Sequence, residues 1–142
     1  MIATHLALLV APGTMIREAG EAGEQGEGSV NPFVEVEFDD QRHRTQTKVK
    51  DLNPVWNEKF VFNVSDPKDL PKKTIDIVVY DEWRGHRNFL GRVKIFGVSI
   101  PNSEPEAGIQ RYPLDKRGLF SNIRDDIALK IFAGYDYYLV PP

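Results

Sequence analysis

The stretch from Lys48 to Phe62, Lys-Val-Lys-Asp-Leu-Asn-Pro-Val-Trp-Asn-Glu-Lys-Phe-Val-Phe, limits the fold more than any other part of the chain. Asn53-Pro54 is a turn signal, because proline fixes φ and pushes the residue before it out of the helical region. Val55 and Trp56 follow as an apolar knob. Phe60, Phe62 and Val64 then recur at period two, which asks for a core face on a strand. Asn57 and Glu58 lie between them, with side chains suited to tie the corner by hydrogen bonds to backbone amides. The stretch reads as a β-corner with a large aromatic anchor.

The rest of the composition agrees with a β protein. A chain of 142 residues forms one domain and can bury a core without staples. With no cysteine it has neither disulfides nor thiolate metal sites, which fits a reducing compartment. A net charge of -3 argues against a nucleic-acid-binding surface. No run approaches the ~20 apolar residues that span a bilayer. Leu6 to Ala11 is apolar, but it lacks a basic flank and is short for a signal peptide, so it reads as part of the first strand. The 11 glycines and 10 prolines are scattered, as many short strands require.

In chain order, strand one is expected over Thr4 to Val10. Residues 12–30 form a long, flexible Gly/Glu-rich first loop, with glutamates at 18, 21, 24 and 27, a period that matches neither helix nor strand. Val34, Val36 and Phe38 alternate with Glu35 and Glu37 as a half-buried strand. A strand from Arg42 to Lys50 follows. Pairing Phe38 with His43 places Glu37 by Arg44 and leaves Arg42, Arg44, Lys48 and Lys50 as an outward basic row; a one-residue slip would bury the arginines. Ser65-Asp-Pro and Asp69-Leu-Pro mark a surface excursion. Thr74 to Tyr80 is a central strand, Asp81 to Asn88 a polar loop, and Phe89 to Ile95 the next strand. Gln110 to Leu114 and the alternation of Ile127, Leu129 and Ile131 complete eight strands, with no long amphipathic helix. The expectation is an all-β, eight-stranded antiparallel sandwich over 1–136, with 137–142 as a tail.

Several of these segments together resemble a C2 domain. They are Asn31-Pro-Phe-Val-Glu-Val36, Leu52-Asn-Pro-Val-Trp-Asn-Glu58 with Phe60 and Phe62, Val79-Tyr-Asp81, and Phe89-Leu-Gly91. The position of the first strand is similar to that of the type II circular variant. Val64-Ser-Asp-Pro67, Phe89-Leu-Gly-Arg-Val-Lys-Ile95 and Tyr112-Pro-Leu114 further resemble the C2 modules, notably the N-terminal one, of plant multiple C2 domain and transmembrane region proteins. That resemblance implies a module of proteins that act at the endoplasmic reticulum, at membrane contacts and in plasmodesmata. Here it would be cytoplasmic and peripheral to a membrane.

The resemblance also implies positions for a calcium site. A hard cation taking six to eight oxygens needs a crowd of carboxylates from two loops. Asp81 matches one such position. Trp83 stands at the next and cannot ligate, while Asn88 and Asn31 occupy two others; Glu24 or Glu27 are possible donors of unknown register. The site reads as degenerate, so calcium is a weak cofactor or none.

Two surfaces remain as binding candidates. Trp83 sits mid-loop with Arg84, His86 and Arg87, a combination that suits a headgroup region; the plain alternative folds the indole back on the core. The row Arg42, Arg44, Lys48 and Lys50 outnumbers Glu35 and Glu37 and is suited to anionic phospholipids or phosphoinositides; the plain alternative is cross-strand pairing with those acids. His5, His43 and His86 are scattered, and no HExxH, GxxxxGK or GxSxG pattern occurs, so the chain reads as non-catalytic. The function expected is a peripheral module, monomeric in isolation, that binds an anionic membrane surface with weak or no calcium dependence. A protein-interaction module and a calcium-dependent lipid binder are the alternatives.

Overall fold

The computed structural model describes residues 3–16, 30–116 and 125–136. Eight strands form two four-stranded antiparallel sheets. In chain order they are β1 (Ala3–Val10), β2 (Pro32–Phe38), β3 (Gln41–Arg44), β4 (Glu58–Val64), β5 (Thr74–Trp83), β6 (His86–Phe96), β7 (Gln110–Pro113) and β8 (Asp126–Asp136). One sheet has the order β4-β1-β8-β7 and the other β3-β2-β5-β6. This is the all-β sandwich expected from the sequence. Period-two alternation builds its core: Leu6, Leu8 and Val10 of β1 and Ile127, Leu129 and Ile131 of β8 face Val34, Val36 and Phe38 of β2 and Ile75, Ile77 and Val79 of β5. No helix among the described residues is long and apolar enough to cross a membrane.

Expectation and structure part company at β3. The connection after Phe38 is a two-residue turn, Asp39-Asp40, with both residues at positive φ (49° and 65°), the twist a tight hairpin needs. The register is therefore Phe38 with Gln41, Val36 with His43 and Glu35 with Arg44, two residues from the expected pairing. A shift of two preserves the faces and changes the neighbours. The strand is also shorter. Beyond Arg44 the N–H of Val34 bonds to the Thr45 hydroxyl (2.9 Å) instead of a backbone carbonyl, and regular pairing ends there. Lys48 and Lys50 consequently lie in the β3–β4 connection and not on the strand.

The second correction concerns Asp81 to Asn88. It is no loop: β5 and β6 run on to Trp83 and His86 and turn through Arg84-Gly85 alone (φ 52° and 82°). A bulge between Val79 and Tyr80 shifts the pairing from Val79–Gly91 to Tyr80–Phe89, and this sets Asp81 opposite Asn88. Of the first loop, residues 12–16 are tied down. Met15 pairs with Asp126, Ile16 is buried, and the Ile16 N–H bonds to the Leu52 carbonyl (2.9 Å). The glutamates at 18, 21, 24 and 27, and residues 137–142, lie outside the described residues.

The opening corner forms largely as expected. Trp56 is buried and its indole N–H donates to the Gln46 carbonyl (2.8 Å), while the Glu58 carboxylate accepts from the Gln46 N–H (3.1 Å). Asn57 adopts a left-handed conformation (φ 49°). Val55 does not join the core; it is exposed.

Candidate functional site

Three segments meet at one end of the sandwich: residues 30–32 leading into β2, the β3–β4 connection around Lys48–Lys50, and the β5–β6 hairpin. Backbone bonds lace the first two together, from Lys48 N–H to Pro32 carbonyl (2.9 Å) and from Asp51 N–H to Val30 carbonyl (3.0 Å). Asn31 joins all three. Its N–H donates to Asp81 Oδ1 (2.8 Å), its Nδ2 donates to the Glu82 carbonyl (2.9 Å), and its Oδ1 accepts from the Lys50 N–H (2.9 Å). A charged network adds a second link. The Glu82 carboxylate accepts from the Thr47 hydroxyl (2.5 Å) and from Arg44 (3.3 Å). The Thr47 bond, with Arg44 adding to it, holds the Glu82 carboxyl below its ordinary range.

The expected basic row divides in two. Arg42 pairs with Glu37 (2.6 Å) and lies 3.6 Å from Glu35. Arg44 pairs with Glu82 and stacks over Phe33, its guanidinium carbon 3.7 Å from the ring centroid. Arg87 is held in the same way, bound to Glu35 (3.2 Å) and lying 4.5 Å over Tyr80, which itself stacks on Phe33. The shallow groove of about 240 Å3 on this face is lined by Glu35, Glu37 and Asp76 as well as Arg42 and Arg92, so its charges compensate one another. Lys48 and Lys50 differ. Neither makes an ion pair among the described residues, and they flank Val49, which is 73% exposed.

On the strand expected over Arg42 to Lys50, Val49 falls on the face opposite the basic row, yet it is exposed. Its signal was an apolar residue held between two lysines just ahead of an Asn-Pro turn. Lys50 sits at φ 50°, a conformation L residues adopt at some cost, and this sharpens the turn that presents Val49. On the neighbouring hairpin Trp83 is half-buried, so neither a free loop indole nor a core residue, and Arg84 is exposed with its guanidinium 5.2 Å over the indole ring. Val55, also exposed, belongs to the same β3–β4 connection.

At the expected calcium positions the described residues offer few ligand oxygens. One Asp81 oxygen is taken by the Asn31 N–H, and Trp83 offers no ligand. The other Asp81 oxygen and the Asn88 Nδ2 are buried without a hydrogen-bond partner on directly opposed strand positions, an acceptor and a donor and not two ligand oxygens. Among the described residues no three His, Cys, Asp or Glu side chains gather as a metal would need. A cavity of about 210 Å3, lined by Ile95, Ile100, Tyr112 and Ile131 among others, has no charged side chain in its wall and offers no set of reacting groups.

Comparison with known proteins bears on this geometry. Residues 14–112 match the family model of the C2 domain. The chain is 63% identical over 123 residues to multiple C2 domain and transmembrane region protein 6 of Arabidopsis thaliana, covering 82% of this chain and 12% of that protein. It is 47% identical over 113 residues to Protein QUIRKY of the same plant, covering 75% and 10%. The chain thus spans only a small part of the length of these relatives. Among solved structures, a C2 domain of plant Extended Synaptotagmin 1 superposes with a TM-score of 0.71 at 23% identity, covering 92% of this chain and 93% of that one. Human GIVD cytosolic phospholipase A2 does so with a TM-score of 0.69 at 16% identity, over 95% of this chain and 18% of that one. At these identities both show the fold alone.

Proposed function

This chain belongs to the C2 domain family, and from that premise we propose that it is a non-catalytic, monomeric module that docks on an anionic membrane surface without needing calcium. The observation that carries the reading is Val49, exposed between Lys48 and Lys50, whose ammonium groups make no ion pair among the described residues. Each such lysine near an anionic leaflet contributes about 1 kcal/mol, and an apolar tip between them gains further by leaving water. Trp83 and Arg84 on the adjoining hairpin extend the same edge, an indole and a cation suited to the headgroup level. Arg42, Arg44 and Arg87 are engaged with carboxylates and aromatic rings, and this reading gives them the task of bracing the edge from the sheet face.

The relatives' names join C2 domains to a transmembrane region. In a protein so built, a module of this kind draws a second, anionic membrane toward the one that holds the helices. Tethering of endoplasmic reticulum to another membrane, including in plasmodesmata, is the role this assigns.

Vesicle co-sedimentation tests the reading. The module should pellet with phosphatidylserine or phosphoinositide vesicles in chelator as well as in calcium, should release with added salt, and should ignore neutral phosphatidylcholine vesicles. Absence of binding in both conditions sinks the membrane reading in favour of a protein-interaction module. Binding only with calcium sinks the cation-free part.

A further inference from the structure

We propose that Asn31 does with its own amide and backbone what a bound cation would otherwise have to do: it joins the three segments of the binding edge into one preorganised unit. A cation attracts oxygens only. The groups that converge here are mixed, and an amide meets both kinds. Asn31, 8% exposed, offers its Oδ1 to the Lys50 N–H (2.9 Å) and its Nδ2 to the Glu82 carbonyl (2.9 Å). Its own N–H reaches Asp81 Oδ1 (2.8 Å) and its carbonyl accepts from the Glu82 N–H (2.9 Å). At least four hydrogen bonds thus join this one residue to two neighbouring segments, on a residue largely withdrawn from water, where an unmet partner is costly.

The bond to Lys50 has a particular consequence. Lys50 holds φ at 50°, which L residues avoid, and Asn31 Oδ1 fixes that residue's N–H in place. Without this bond the turn is free to relax toward an ordinary conformation, and Val49 loses its outward aim. Asn31 is therefore a positioning residue for the lysine–valine tip. An aspartate in its place would keep the acceptor for Lys50 but lose the donor to Glu82, and would set a carboxylate beside that of Asp81. Such an edge would need an added positive charge to close.

The part of this inference that concerns lipid rests on the membrane-binding reading; the structural part stands apart from it, and the experiment separates them. Amide hydrogen exchange would be followed at Lys50 and Glu82 in the wild-type chain, in Asn31→Ala and in Asn31→Asp, each in chelator and in calcium. The same samples would be tested on phosphatidylserine vesicles. The wild-type Lys50 amide should be protected equally in both conditions. Asn31→Ala should speed Lys50 exchange by about tenfold with calcium making no difference, and should weaken vesicle binding several-fold. Asn31→Asp should raise exchange at Glu82 in chelator. Calcium-induced protection of Lys50 in the wild-type chain would overturn the inference, and this measurement needs no variant to fold. So would unchanged Lys50 exchange in a folded Asn31→Ala. If wild-type chain ignores the vesicles, the membrane reading fails while the exchange data still decide the role of Asn31.

Discussion

Gln41 and Asn63 clasp the two sheets together through a pair of hydrogen bonds. The Gln41 side-chain amide, on the edge strand β3, donates to the Asn63 carbonyl and accepts from the Asn63 N–H on the edge strand β4, both at 2.8 Å. The amide imitates a backbone partner for a strand that has none on that side. Next to it His43 stacks flat on Phe60 (5.4 Å, 2°) and meets Phe62 edge-on (5.0 Å). Gln41→Ala removes both bonds and should lower the unfolding free energy by about 1–2 kcal/mol. Gln41→Glu keeps the acceptor and turns the donor into a carboxylate facing a carbonyl, so it should cost at least as much at neutral pH. Urea unfolding of the two variants checks both, and an unmoved midpoint for Gln41→Ala would show that the clasp contributes nothing.

Trp56 anchors the corner that opens β4. Truncation to alanine empties the site and removes the indole bond to the Gln46 carbonyl, which keeps its bond from the Thr45 hydroxyl (3.0 Å), and should cost about 3–5 kcal/mol. Trp56→Phe keeps most of the packing and loses the hydrogen bond, so a smaller loss of about 1 kcal/mol is expected. Equal losses for the two would mean that the indole N–H, and not the ring, is what the corner uses.

For lipid binding the lysines and arginines should separate. Lys48→Ala with Lys50→Ala should weaken affinity for anionic vesicles by roughly tenfold to thirtyfold and flatten its salt dependence. Arg42→Gln should have a smaller effect, since Arg42 lies further down the strand from the edge and against Glu37. Val49→Asp should reduce vesicle binding and leave the unfolding midpoint unchanged, because the side chain is exposed in the free protein. An Arg42→Gln loss equal to that of the double lysine variant would move the contact from the tip to the sheet face.

Acid should loosen the link between hairpin and tip. The Glu82 carboxyl is held below its ordinary value of 4.5, first by the Thr47 hydroxyl and then by Arg44. A carboxyl whose folded pKa is depressed adds stability that is complete above its unfolded value and disappears as pH falls through the folded one. The wild-type chain should therefore exceed Glu82→Gln in stability at neutral pH, and the gap should close as pH drops from about 5 to about 3. A gap that is constant over that interval would mean the network does not depend on the carboxylate charge.

How much of this was legible in the sequence varied with the range of the interaction. Alternation alone placed Val34, Phe62, Ile77 and Leu129 in the core, because the side-chain period of a strand is local. The outward face of Arg42 and Arg44 was also legible, since a two-residue error in register leaves parity untouched. Their partners were not. Two aspartates at positive φ made a shorter turn than composition suggests, and Glu37 met Arg42 in place of Arg44. The hairpin was hidden because its strands are polar where they project; Glu82 and Arg87 look like loop residues until Arg44, Thr47 and Glu35 are seen to bind them. Asn31 was visible only as a departure from a calcium pattern. Its amide serves a backbone N–H 19 residues on and a carbonyl 51 residues on, and no spacing rule records that.

The first and last strands carry a consequence of another kind. Ala3 and Asp136 are directly opposed partners, at the end of the sandwich away from Val49. Strand β1 thus begins beside the place where β8 ends, at the far end from the edge proposed to dock. If that edge docks as proposed, copies of such a unit joined in series can each present it to one surface. Grip on a surface then becomes a matter of avidity, set by how many units reach it at once and how much slack lies between them.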